Sequence, residues 1–184
     1  MVEVLFSWDR MLFLKLHLAG QEPWDTLVYY ATKSWVWTPL FVWWGYLLYQ
    51  TYGRKFIRWV AFTLLVVSVT DFLCGQWLKP WVGRLRPSHE ASLRSSLHLV
   101  RGYTGGLYGF PSNHAANSAA MATAIGLALR RRFVWLLAVG WAVLHSYTRI
   151  YLGVHYPSDI LAGWGIGVIL TRFLYSLAKR KDVL

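Results

Sequence analysis

The chain alternates between long apolar runs and short, densely charged joints. Runs at 35–52, 56–78, 112–130, 133–150 and 158–178 are each close to the ~20 mostly apolar residues that cross a bilayer as a helix. Residues 4–19 differ: Leu5, Phe6, Met11, Leu12 and Leu16 are interleaved with Ser7, Asp9, Arg10, Lys15 and His17, an amphipathic pattern that suits the interface plane. Gln21-Glu22-Pro23 breaks that helix, and Trp24 to Lys33 reads as a second short interfacial piece. The pattern predicts an all-α, polytopic membrane helix bundle over residues 1–184 as a single domain. It has five transmembrane helices plus the N-terminal interfacial helix, or six spans if residues 4–19 cross as well.

Composition agrees. The 184 residues are 56% hydrophobic and 17% aromatic, with 12 tryptophans, and the mean hydropathy is +0.35. Such enrichment in Trp and Tyr belongs to the two interfaces of a multi-span protein. The net charge of +11 does not point to nucleic acid, because the cations sit in clusters between apolar runs rather than on a soluble basic face. Anionic headgroups and membrane topology explain them better. The single cysteine, Cys74, lies within an apolar run and reads as a small core residue. No cleavable signal peptide is expected, since Asp9, Arg10 and Lys15 interrupt the first apolar stretch.

With five spans, Arg54, Lys55 and Arg58, then Arg130, Arg131 and Arg132, then Lys179, Arg180 and Lys181 all fall on one side, which the positive-inside rule makes cytoplasmic. The loop 79–111 and the turn 150–157 then face outward from the inner (plasma) membrane. Lys79, Arg84, Arg86 and Arg149 are cations on the disfavoured side, and an anionic ligand accounts for them.

Three polar clusters converge on that side. In the third, His155 and Asp159 are four residues apart, within reach of each other around the first turn of a helix whose start is marked by Pro157. A carboxylate that tethers one imidazole nitrogen frees the other, which is the logic of a catalytic nucleophile; a capping histidine with a first-turn aspartate fits the pair equally well. Arg149, at the end of the preceding span, can bind phosphate oxygens bidentately. In the second cluster Ser112 is a good N-cap, the backbone N–H groups after it form an anion site, and His114 can donate a proton to a leaving oxygen. An ordinary cap beside an exposed histidine is the alternative. In the first, Lys79 and Arg86 are cations fixed by Pro80 and Pro87; they suit a phosphate, although for Lys79 alone interfacial snorkelling suffices. Arg84 reads as a rim or headgroup contact.

The clusters Lys79…Arg86-Pro87, Pro111-Ser112-Asn113-His114 and Thr148-Arg149…His155…Asp159 resemble the three-part signature of the type 2 phosphatidic acid phosphatase superfamily, K-x6-R-P, P-S-G-H and S-R-x5-H-x3-D. Vanadium haloperoxidases and bacterial acid phosphatases share it. Order and internal spacing match, with Asn113 in place of glycine and Thr148 in place of serine. The resemblance implies metal-independent hydrolysis. Lys79, Arg86, Arg149, Ser112 and Asn113 would bind the phosphate, and His155, oriented by Asp159, would form a phosphohistidine. His114 would protonate the leaving group and then activate water. No cofactor and no metal are implied.

A small outward-facing chain of this kind resembles undecaprenyl diphosphate phosphatases. Phosphatidic acid, phosphatidylglycerophosphate and lipid A 1-phosphate are the alternatives. A lipid transporter is the distant rival, disfavoured because the ionisable groups sit at one membrane edge. The expected partners are therefore the bilayer and a lipid phosphate; no pattern specifies an oligomeric state. Asp71, in mid-span, is expected to pair with a neighbouring helix, and His145 and Ser146 to serve helix packing. The run Ala115, Ala116, Ser118, Ala119 and Ala120 marks a close helix contact. The glycine-rich loop 88–110, with Arg94 and Arg101, reads as a mobile lid or as a plain connector.

Overall fold

The computed structural model describes residues 2–17 and 20–184, with side chains from residue 7 onward. Helices α1 (Val2–Leu16) and α2 (Trp24–Ala31) precede α3 (Thr38–Tyr52), α4 (Phe56–Phe72), the short α5 (Lys79–Val82), α6 (Asn113–Leu129), α7 (Arg132–Tyr151) and α8 (Pro157–Arg180). The five apolar runs correspond to α3, α4, α6, α7 and α8. Among the described residues, three stretches are long and apolar enough to cross a membrane: Ser34–Val82, Arg132–Tyr151 and Pro157–Arg180. The first contains both α3 and α4, which turn back on each other at Gly53, whose φ of +56° suits glycine. Helix α6, at 17 residues, falls short by length but is the most enclosed of the set.

The helix ends follow local chemistry. Pro157 opens α8 and Ser112 caps α6. Between α4 and α5 the chain makes a π-helical stretch, Leu73–Leu78, the wide turn often found at functional sites.

Helix α6 packs against α8, α7 and α4. The α8 contact is close because Gly163 and Gly167 face the α6 backbone: a Cβ on Gly163 would lie 2.6 Å from the Ser112 carbonyl oxygen and 3.1 Å from Ala116 N. The alanine-rich face expected to make a close helix contact does so here. On the other side of α6, Trp44, Leu48, Trp59, Phe62, Val66 and Trp141 form the main core. Outward, Val42, Leu64, Leu65, Phe133, Leu161, Ile169 and Phe173 are exposed, a belt that only lipid can cover. The protein is an integral membrane protein. Helix α1 rests on the start of α8 through buried Phe13, whose ring lies 5.4 Å from that of Tyr156.

Candidate active site

The turn between α7 and α8 is fully enclosed and ends in His155, which is 1% exposed. Asp159, 0% exposed, sits in the first turn of α8 and reaches back. Its Oδ2 accepts from Tyr156 N at 2.9 Å and lies 3.3 Å from His155 Nδ1. That partner fixes the tautomer: Nδ1–H donates to the carboxylate and Nε2 keeps its lone pair. Arg86 Nη1 donates to that nitrogen at 3.0 Å. Burial, then Arg86, Arg149 and Lys79 nearby, holds the His155 pKa well below the ordinary 6.5. The imidazole is therefore neutral, with Nε2 nucleophilic, at neutral pH.

The cations come from three separate segments. Arg149, in the last turn of α7 and 2% exposed, donates from Nη1 to Thr32 Oγ1 at 2.7 Å and from Nη2 to the Tyr103 hydroxyl at 3.0 Å. Arg86 is held by the carbonyls of Tyr108 at 3.1 Å and Val154 at 3.2 Å; burial, then Arg149, lowers its pKa to about 10. Lys79 Nζ donates to Asn113 Oδ1 at 2.5 Å. Lys79, Arg86, Arg149, Asn113, His114 and His155 line one cavity of about 550 Å³, which Phe41, Val67, Met121 and Trp141 line with apolar surface. The expected convergence of the three clusters is thus observed.

Ser112, expected as the cap of α6 and as a phosphate contact, is that cap: it is buried, its Oγ accepts from Ala115 N, and its neighbours Asn113 and His114 line the cavity. Its backbone N–H donates to the Asp159 carbonyl at 3.0 Å, fastening the start of α6 to α8. His145, expected in helix packing, also lines the cavity, its ring stacked 5.4 Å from that of His114. Ser146 does serve packing, accepting from Trp164 Nε1 at 2.9 Å.

Arg84 is not a rim contact. Its Nη1 donates to Asp159 Oδ1 at 2.9 Å and to Ser158 Oγ at 2.6 Å, its Nη2 donates to Asp9 Oδ2 at 2.6 Å, and its guanidinium lies 4.1 Å from the Tyr156 ring centroid. Asp9, on α1, also accepts from Ser158 N at 2.9 Å. Helix α1 thereby braces the carboxylate that holds His155 Nδ1. Arg84→Gln is expected to lower kcat by about tenfold to a hundredfold with KM nearly unchanged, the usual scale for a lost supporting hydrogen bond. Steady-state kinetics on a lipid phosphate checks this.

The loop 88–110 is pinned at several points. Leu93 and Val100 are buried, His98 bonds Asp25 at 2.7 Å, and Arg101 donates to Thr26 Oγ1 at 3.1 Å and covers the Tyr29 ring. Arg94 is exposed, and neither it nor Arg101 lines the cavity. The loop's contribution there is Tyr103, for which the sequence offered no motif. Two of its glycines serve close packing: a Cβ at Gly105 would lie 3.0 Å from Arg86 Nη1, and one at Gly109 3.0 Å from Asp159 Oδ2.

Among the described residues, no cluster of three or more His, Cys, Asp or Glu is arranged to hold a metal ion. Three cations beside a tethered imidazole are an arrangement suited to a phosphate group with a nucleophile placed against it. Bundle and site together define a membrane enzyme of phosphate-ester chemistry. The PAP2 superfamily profile matches residues 58–182. The chain is 37% identical over 182 residues to a lipid A 4'-phosphatase of Bacteroides thetaiotaomicron, covering 98% of this chain and 81% of the relative. It is 32% identical to a lipid A 4'-phosphatase of Porphyromonas gingivalis, covering 96% and 75%. The crystal structure of a transmembrane PAP2 type phosphatidylglycerolphosphate phosphatase from Bacillus subtilis has the same fold, with a TM-score of 0.73 at 24% identity over 96% of this chain and 87% of that one. The chain belongs to the PAP2 superfamily, and it is a lipid phosphatase.

Proposed function

We propose that the protein removes phosphate from a membrane lipid through a phosphohistidine on His155, without a metal. The observation that carries this reading is His155 Nε2, facing Arg86 in a cavity also lined by Lys79 and Arg149 while Asp159 holds Nδ1. On binding, Arg86 exchanges His155 for a phosphate oxygen, and the nitrogen lone pair attacks phosphorus in line. Lys79, Arg86, Arg149 and the backbone N–H groups that follow Ser112 stabilise the charge on the equatorial oxygens. His114, on the same wall, delivers the proton to the departing oxygen and then takes one from the water that frees His155.

The substrate reading that best fits the relatives is the 4'-phosphate of lipid A, which two of them are named for, each covering at least 96% of this chain. A lipid diphosphate such as undecaprenyl diphosphate, favoured by the sequence alone, is the second reading. One observation supports it: three cations line the cavity, one more positive charge than a phosphomonoester dianion neutralises. The site lies at the extracytoplasmic face of the inner membrane, by the distribution of positive loops.

Purified protein in detergent, given lipid A and undecaprenyl diphosphate in parallel, is expected to release phosphate from lipid A at the higher kcat/KM, equally with and without EDTA. Loss of release in EDTA would overturn the metal-independent mechanism, and preference for the diphosphate would reverse the substrate order. For sidedness, cysteines introduced at the exposed positions Ser96 and Arg131 report on opposite faces. The native Cys74 is buried and silent. In spheroplasts a membrane-impermeant maleimide is expected to label the first and not the second; the reverse would invert the topology.

A further inference from the structure

Asp71 is a carboxylate within an apolar helix, where an ionisable group needs a reason. Its Oδ1 accepts from Asn113 Nδ2 at 2.9 Å and from Asn117 Nδ2 at 2.8 Å. The same Asn113 amide donates to the Asp71 carbonyl oxygen at 3.1 Å, and its Oδ1 takes Lys79 Nζ at 2.5 Å. Asp71 and Lys79 are eight residues apart, which on a regular α-helix leaves them about 80° apart around the axis. The π-helical stretch Leu73–Leu78 between them turns both toward Asn113. Gly75 leaves the room: a Cβ there would lie 3.0 Å from Asn113 Nδ2. The contacts of the Asn113 amide with Asp71 and Lys79 do not exist with glycine at position 113, the residue of the signature that the sequence resembles; the Asn117 bond to Asp71 does not depend on it.

Asp71, Asn113 and Asn117 line the cavity together with the cations. The Asp159 carboxylate is outside that wall and is paired with Arg84. The wall thus sets one carboxylate against Lys79, Arg86 and Arg149, leaving a surplus of two positive charges. That matches the dianion of a phosphomonoester. A diphosphate brings further negative charge into the same cavity, where the Asp71 carboxylate on its wall repels it.

Resting on the phosphatase reading above, we propose that Asp71 is a specificity-determining residue: held on the cavity wall by Asn113 and Asn117, it admits a lipid phosphomonoester and disfavours a second phosphate group. The excess positive charge that favours undecaprenyl diphosphate is thereby offset.

The test uses two lipids that differ only by one phosphate, phosphatidic acid and diacylglycerol pyrophosphate with the same acyl chains. kcat/KM is measured for both with the purified full chain and with Asp71→Asn, which keeps the shape and an acceptor oxygen. The ratio of diphosphate to monophosphate turnover is expected to rise by about tenfold or more in the variant, chiefly through KM. Asp71→Ser, which removes the charge differently, is expected to shift the ratio the same way. An unchanged or lower ratio would overturn the proposal. A parallel loss on both lipids would overturn it too, by reducing Asp71 to a residue that merely positions Lys79. If the unmodified protein turned over neither lipid, the failure would lie with the substrate reading of the site. An active protein with an unmoved ratio isolates the failure to Asp71.

Discussion

His155→Ala is expected to lose lipid phosphate hydrolysis by about four orders of magnitude or more, because it removes the atom that bonds to phosphorus. The loss belongs in kcat. KM should change little, since Lys79, Arg86 and Arg149 still grip the phosphate. The side chain is 1% exposed and its neighbours are hydrogen-bonded to one another, so the bundle should hold, and thermal unfolding of the purified variant checks that. Near-normal turnover by a folded His155→Ala protein would contradict the assignment outright.

Arg149→Ala is expected to abolish turnover for a different reason. The guanidinium is buried, with Thr32 and Tyr103 as partners and its Nε without one. Its fork is aimed by α2's end on one side and by the loop on the other. Removing it takes away transition-state charge stabilisation and leaves two hydroxyls unpaired, an expected loss of about a thousandfold in kcat/KM. Arg149→Lys should not restore it, because one ammonium cannot replace two planar donors held by different segments. Kinetics on the two variants decides this: rescue by lysine would show that charge alone suffices.

What the sequence made legible was set by local regularity. Apolar runs gave the helices, Pro157 and Ser112 gave helix starts, and the small residues from Ala115 to Ala120 marked the close contact that Gly163 and Gly167 complete from α8. Lys79, Arg86, His114, Arg149 and His155 came together because each stands at the edge of such a run. The supporting residues were hidden for the complementary reason. Arg84 reaches Asp9 across 75 positions, and Tyr103 meets Arg149 from an irregular loop. Neither contact leaves a period or a spacing in the chain. His145 looked like packing because it lies within an apolar helix; only the bundle turns it toward the cavity. The loop glycines suggested motion, whereas two of them serve the close approach of Arg86 and Asp159.

The central claim is a covalent phosphoryl group on His155. Brief reaction with a ³²P-labelled lipid phosphate, stopped in alkali, followed by proteolysis and mass spectrometry, is expected to yield an acid-labile, base-stable phosphate on the peptide that contains His155. Steady turnover with no such adduct, or with the phosphate on another residue, would contradict the account.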